Sequence, residues 1–432
     1  MISCRLDQRL FDAQMTACYR RESTYFYLKI DIQHVKEQPM KSIRFTKSEI
    51  GFTVFLLLFC FLFVFVEMAN NKLWTNDFRV YYGAVHDFFN GKNPYVDNYG
   101  LDSGYFKYPP FTLYLFGVLK WIPFWIGQFI HLFLLASSLL ISMFVLREMT
   151  FYIVEPSVGK RRIWLLYVGF LCVAIHLTRE FHMGNINLIL LVLFVVGLSK
   201  IQSESIWWTA ICWSLMTILK PIMILAFVPL LFYRKWKLIL YLGGLGITFF
   251  LFPVLHLGWG GNLTLWMDWF KSIAAHGTYI VSENSLKYLS SFYFGTQSEW
   301  IPSLVVLLLL MGVLTFQCVR KQKQQFDLMN WVVLFTAFTP NFFVTDTEHF
   351  LLSLPLLVFL LVQLAARKSA VGWVFFGIGF VPFSLNANDL WGRKISDYFD
   401  QLGALGIGNL LFIGLFLVLI LFPETKTENS EK

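Results

Sequence analysis

The sequence predicts an all-α, polytopic membrane protein, and three observations carry that prediction. Of 432 residues, 57% are hydrophobic and 14% are charged, with a mean hydropathy of +0.60; soluble domains run near half apolar and a quarter charged. Twelve apolar runs reach, or nearly reach, the roughly 20 residues needed to cross a hydrocarbon core. Lys and Arg fall in short clusters between those runs, which is the pattern of cytoplasmic loops on an anionic leaflet. The net charge of +8 therefore points to membrane lipids. There is no nucleic-acid footprint, because no basic stripe carries interleaved exposed aromatics.

The runs are 49–69, 124–146, 163–178, 186–199, 205–219, 221–233, 238–258, 301–319, 329–345, 349–366, 371–387 and 405–422. Several are short, as happens where a helix breaks at a polar site. Residues 1–48 are mixed and polar, with no cleavable signal. Met40, followed by Lys41, Arg44 and Lys47, makes a natural start for a membrane protein. The segment ahead of it reads as an upstream extension or a disordered cytoplasmic tail. Residues 49–422 then form a single membrane domain and 423–432 a cytoplasmic tail. Cys4 and Cys18 lie in the extension, and Cys60, Cys172, Cys212 and Cys318 lie in apolar runs. No CxxC or Cys/His spacing suits a metal, so neither metal nor cofactor is expected.

Orientation follows from the cations. Lys41, Arg44 and Lys47, then Arg147 with Lys160, Arg161 and Arg162, then Arg234, Lys235 and Lys237, then Arg320, Lys321 and Lys323 belong inside. Parity holds if 109–122 is a short re-entrant or interfacial helix rather than a full crossing, and if Lys220-Pro221 is a break near the outer face. Both termini are then cytoplasmic in the cell's inner or plasma membrane, and the outer segments are 70–108, 259–300 and 340–348.

The first outer segment is too long and polar for a connector. Asn76 or Asp77 can cap a helix of about 78–90 with an apolar face of Phe78, Tyr81, Val85, Phe88 and Phe89. Gly91 stops it, and Asn93-Pro94-Tyr95 makes a turn. The expected result is an amphipathic helix lying on the membrane.

The stretch DFRVYYGAVHDFFNGKNPY (Asp77–Tyr95), followed by FKYPP (Phe106–Pro110), resembles the first-loop signature of glycosyltransferase family 87. Further pieces resemble the family in order: HMGNINL (His182–Leu188), Leu219-Lys220-Pro221 with the basic Arg234-Lys235-Trp236 loop, Glu283-Asn284-Ser285-Leu286, and Thr339-Pro340 through Glu348-His349. Together they span about 70–366. Asn185 stands where Gln is usual and Thr339 where Ser is usual. The resemblance implies a GT-C-like bundle of about twelve helices. It implies a hexose, mannose for example, moved from a polyprenyl-phosphate carrier to an envelope lipid or glycan, with inversion, on the outer face.

Such a transfer needs a carboxylate base, cationic or amide donors for the leaving phosphate, and a wall for the lipid chain. The resemblance implies the base role for Asp77. Its place at a helix N-terminus by the membrane surface keeps it ionised near neutral pH, since its reference pKa is about 3.9 and a helix N-terminus favours the anion; the alternative is that it merely caps its helix. Asp87, Asp97 and Asp102 are rival carboxylates. Lys220, costly inside an apolar run, either meets the donor phosphate as a point charge or snorkels to the interface. Arg179 and His182 join the same phosphate site, unless Arg179 pairs with Glu180. His349, with Asp346 and Glu348, forms a polar cluster: a metal site, a hydrogen bond to phosphate or acceptor as the resemblance implies, or a satisfied loop histidine. Tyr81, Tyr95, Tyr108, Asn185 and Asn187 are expected to line the substrate cleft with Glu348. Asn284 and Ser285 are expected to shape its acceptor side, and Trp259, Trp266 and Trp269 to form a headgroup-level belt.

No Walker-type loop, GxGxxG or Asp-x-Asp pair supports a nucleotide-sugar donor. Two other classes compete with the enzyme. A transporter or flippase of lipid-linked saccharide would show internal repeats and midplane charges, whereas no repeat is found and the polar candidates lie toward one face. A glycan ligase or polymerase would place its large Arg-rich loop late in the chain.

Overall fold

In the computed structural model, residues 46–101, 104–150, 163–202, 205–276, 282–296, 300–320, 325–343 and 346–422 are described. The N-terminal extension, Lys160, Arg161, Arg162, Lys321, Lys323, Asp102 and the C-terminal tail lie outside them. The chain divides into two compact units, Met1–Gly51 and Phe52–Lys432; the site belongs to the second.

Among the described residues the fold is helical, with one isolated antiparallel bridge between Asn98 and Tyr105. The order begins with α1 (Lys47–Ala69) and α2 (Asn76–Phe89), then the short α3 (Phe111–Leu115) and the 3₁₀ helix Gly117–Trp121. Next come α4 (Phe124–Thr150), α5 (Trp164–Met183), α6 (Asn187–Gln202) and α7 (Ile206–Leu219). The 3₁₀ helix Pro221–Phe227 runs into α8 (Val228–Phe232), α9 (Trp236–Leu251) and α10 (Val254–His276). Then follow α11 (Leu286–Phe294), α12 (Ile301–Arg320), α13 (Gln325–Phe342), the 3₁₀ helix Thr347–Ser353 and α14 (Leu354–Arg367). Last are α15 (Ala370–Ser384), α16 (Asn388–Trp391), α17 (Arg393–Gln401) and α18 (Ala404–Leu421).

Among the described residues, six helices are long and apolar enough to cross a membrane, or seven if α9 and α10, bent by 89° at their junction, make one broken span. Helices suit such a sequence because each backbone N–H and C=O finds its partner within the segment, where lipid offers none. The chain is therefore a membrane protein with several apolar helices. The span formed by Thr347–Ser353 and α14 is the most enclosed of the six.

Two sequence expectations change. The segment 259–300 is not simply an outer loop, since α10 continues through it to His276, kinked at Gly258 where φ is 68°. The Gly-Trp-Gly-Gly run from Gly258 to Gly261 is the elbow of that helix. In addition, α2 buries Phe78, Tyr81, Val85 and Phe88, together with Val80 and Ala84, against α3, α4, α5 and the 3₁₀ helix Gly117–Trp121. Its apolar stripe is covered by protein rather than resting on lipid. The segment 109–122 is, as expected, too short and broken to cross, being α3 and one 3₁₀ helix.

The helix ends sort by position. Thr75, just ahead of α2, bonds to the last turn of α5 and the first turn of α4. The end of α7 reaches the start of α6, and the 3₁₀ helix before α14 reaches the end of α7. The polar connections between these helices thus meet at one end of the bundle.

Candidate active site

The site starts where α2 is stapled to its neighbours. Thr75 adopts a left-handed conformation (φ 41°) without capping α2 through its side chain. Its N–H donates to the His182 carbonyl at 2.9 Å, and its hydroxyl accepts from Gln128 Nε2 at 2.6 Å. Gly184, at φ 65°, ends α5 directly beneath it; a Cβ there would stand 3.0 Å from the Thr75 Cβ. Glycine is required on both counts. His131 Nε2 holds the same turn through the carbonyls of Gly184 and Asn185, at 2.9 and 3.2 Å.

This anchoring decides what Asp77 does. Neither Asn76 nor Asp77 caps the helix as the sequence suggested. Asn76 Oδ1 instead accepts from the Leu101 N–H at 2.6 Å. Asp77 lies in the first turn of α2, half-buried, and its carboxylate makes no hydrogen bond to the described residues. Burial pushes its pKa from 3.8 up to about 6; the charge of Asp346 adds to the rise, and Lys220 and Lys107 oppose it. The shift narrows the margin by which the carboxylate is ionised near neutral pH, because burial rather than the helix N-terminus sets its pKa. At pH 7 about nine-tenths of it is still ionised.

Opposite Asp77 is a cationic hub. α7 stops at Leu219 because Pro221 forces the preceding residue to be extended, and Lys220 is so (φ −139°, ψ 100°). Its ammonium donates to Asn187 Oδ1 at 2.9 Å, to Asn185 Oδ1 at 3.3 Å and to His349 Nε2 at 2.9 Å. Lys220 therefore does not snorkel away. The amide orientations are fixed from behind: Asn187 Nδ2 donates to Glu180 Oε2 at 2.9 Å, and the Ile186 N–H donates to Asn185 Oδ1 at 2.7 Å. Glu180, fully buried, also accepts the Leu188 N–H at 3.1 Å. Nδ1 of His349 donates to the Asp346 carbonyl at 3.2 Å, which sets its tautomer. Tyr81 and Tyr108 close the wall, with hydroxyls 2.8 Å apart and both reaching Asn185 Oδ1 at 3.5 and 3.4 Å. Burial holds both phenols well above their usual 10.

This polar core brings Lys220 and His349, from separate later helices, to 2.9 Å of each other. A model of glycosyltransferase family 87 matches residues 106–340. The chain belongs to glycosyltransferase family 87. No curated protein matches it significantly. Membership makes the chain a membrane glycosyltransferase and settles the choice between enzyme and transporter. The matched stretch contains Tyr108, Arg179, Asn185, Asn187 and Lys220; Asp77 and His349 lie on either side of it.

Several expected site residues of this glycosyltransferase are engaged elsewhere. His182 pairs with Glu67 at the end of α1 (2.5 Å) and packs on Trp74, with ring centroids 4.9 Å apart, so it does not join Lys220. Arg179 does not pair with Glu180, whose oxygens are taken by Asn187 and Leu188; its Nη2 donates to the Asn386 carbonyl at 3.3 Å, and its charge acts on Glu348. Asn284 is structural. Its Oδ1 accepts the Gly406 N–H and its carbonyl accepts from Asn341 Nδ2, both at 3.0 Å, and Asn341 in turn accepts from Asn409 at 2.7 Å. Ser285 caps α11 through the Tyr288 N–H at 3.3 Å. Tyr95 braces the loop, its hydroxyl donating to the Tyr108 carbonyl at 2.9 Å. Of the three tryptophans expected in a belt, Trp266 and Trp269 are buried and Trp259 is exposed. Glu348 is buried within reach of Asp346 and Arg179. Among the described residues, no group of three His, Cys, Asp or Glu side chains could hold a metal ion.

Sequence reasoning missed Lys107 and Glu180. Lys107 lies inside FKYPP and was read only as part of that motif, although a cation inside an aromatic and proline run is itself a signal. Glu180 was read as the partner of Arg179, because nothing in the sequence shows that α6 turns back to present Asn187.

Proposed function

We propose that this enzyme transfers a hexose, mannose for example, from a polyprenyl-phosphate carrier to an envelope lipid or glycan, with inversion of the anomeric centre. The observation that carries the reading is the polar core in which Lys220 meets Asn185, Asn187 and His349 and in which Lys220 and Lys107 both act electrostatically on the Asp77 carboxylate. The acceptor hydroxyl oxygen attacks C1 of the sugar, and Asp77 takes its proton. The C1–O bond to the phosphate breaks, and the electron pair leaves on the phosphate oxygen, whose growing charge the lysines offset. With one displacement the anomeric configuration inverts. A raised pKa suits Asp77 to this role, since a base near the working pH is both ionised and basic enough to accept a proton.

A lipid-borne donor fits a site at the end of an apolar bundle. Counted with the shorter apolar helices and α13, the spans come to about twelve crossings in a GT-C-like arrangement. Arg147, Arg234, Lys235 and Arg367 follow the far ends of helices that begin at the site. By the distribution of cations, that far end is cytoplasmic, the site faces outward, and both termini are inside. Lys92→Cys should therefore react with an impermeant thiol reagent in intact cells; protection would reverse the orientation. For the reaction, purified enzyme given radiolabelled polyprenyl-phosphate hexoses and envelope lipid extract should move label to a lipid or glycan product. Transfer from nucleotide sugars alone would refute the donor class.

A further inference from the structure

We propose that Lys107 is the side chain that hydrogen-bonds the donor's phosphate, and that Lys220 supplies charge from behind it without direct contact. The inference rests on the polyprenyl-phosphate reading above and divides the two cations by counting hydrogens. An ammonium has three N–H donors and no acceptor. Lys220 directs its three at Asn187 Oδ1, Asn185 Oδ1 and His349 Nε2. Each acceptor is locked in turn. Asn187 is oriented by Glu180, Asn185 by the Ile186 N–H, and His349 by the Asp346 carbonyl, which takes the Nδ1 proton. His349 therefore has no N–H left to offer an anion, and Lys220 can turn to a phosphate only by giving up one of its three hydrogen bonds: releasing Asn187 Oδ1 or His349 Nε2 strips that acceptor of its donor, while Asn185 Oδ1, the most distant of the three, keeps the Ile186 N–H.

Lys107 is built the opposite way. Its backbone is pinned and its side chain is not. Three successive carbonyls each accept a side-chain donor: Phe106 from Ser272 Oγ at 3.2 Å, Lys107 from Trp269 Nε1 at 2.9 Å, and Tyr108 from the Tyr95 hydroxyl at 2.9 Å. Two of these donors come from α10, and Phe106 is completely buried. The half-buried Lys107 ammonium makes no hydrogen bond to the described residues, yet acts electrostatically on both Asp77 and Asp346. Arg179, the other cation nearby, acts on Glu348 and holds Asn386. A rigid base carrying a long side chain with unused donors beside the carboxylate is the geometry for grasping an incoming anion. As the C1–O bond breaks, the electron pair moves onto the phosphate oxygen, and Lys107 stabilises it by donation with no proton transferred.

The test compares farnesyl phosphate with farnesol as ligands of the purified full-length enzyme in detergent. Wild type should prefer the phosphate. Lys107→Gln should lose about 10- to 100-fold of that preference, the value of one charge-assisted hydrogen bond, and Lys107→Arg should keep most of it. As a reading that needs no variant, farnesyl phosphate but not farnesol should protect Lys107 of wild type from acetylation by acetic anhydride. An undiminished preference in Lys107→Gln, or equal acetylation with and without the phosphate, overturns the assignment while leaving the donor class standing. No preference in wild type overturns both.

Discussion

Replacing Asp77 by Asn should make the enzyme more stable while removing the base proposed for the transfer. Burial raises the Asp77 pKa from 3.8 to about 6, so between those values the folded chain binds more protons at this position than the unfolded chain. Stability then falls as pH rises through the window, the opposite of a salt-bridged carboxylate. Above pH 6 the ionised group costs about 3 kcal/mol relative to the unfolded state, at 1.36 kcal/mol per pKa unit. Asn has nearly the same shape without the charge, so it recovers a large part of that sum. For a chain of 432 residues the gain corresponds to about 2–3 °C in the thermal midpoint. The assay is thermal unfolding of wild type and Asp77→Asn in the same detergent from pH 4 to 8. The variant should gain on wild type as pH rises and level off above about 6.5. A variant equal to or less stable than wild type at pH 7.5 would show that the carboxylate is not held at a cost, and the reasoning about its surroundings would fail.

Three further outcomes follow from the same geometry. The kcat/KM of wild type should rise with pH through about 6 and then plateau, since the base must be ionised; a profile flat from pH 5 to 8 would exclude Asp77 as the titrating group. Glu180→Gln offers one acceptor oxygen where Asn187 and Leu188 present two donors, so it should cost about 1–3 kcal/mol of stability and lower kcat more than it raises KM, by loosening the Lys220 hub. Gly184→Ala should cost about 1–2 kcal/mol for a left-handed residue with a Cβ. Because the new methyl presses on Thr75, it should also lower turnover, as read by transfer rate at saturating donor.

How far the site was legible depended on how costly each residue is in an apolar chain. Lys220 and His349 stood out because a charge or imidazole among apolar runs demands a partner, and the structure brings them to 2.9 Å of each other. Asp77 stood out through the motif around it, but its raised pKa did not, because its burial is a tertiary fact. The twelve apolar runs located the helices well, including the break before Pro221. The same hydropathy reading misjudged α10, whose glycines and tryptophans look like a loop until it is seen folding back on Phe106 and Lys107. Asn284 and Ser285 were read as substrate contacts because exposed-looking polar residues near a motif invite it. The partners of Asn284, Gly406 and Asn341, are 122 and 57 residues away along the chain, beyond the reach of local pattern.

The measurement that bears most directly on the account is single-turnover transfer of labelled hexose from a polyprenyl-phosphate donor by wild type and Asp77→Asn, prepared and reconstituted together. Wild type should release polyprenyl phosphate and form labelled product in equal amounts. Asp77→Asn, folded and still binding donor, should be slower by at least about 100-fold, the lower range for loss of a general base. Transfer by Asp77→Asn at near wild-type rate would contradict the claim that this carboxylate and the lysines facing it are the catalytic centre.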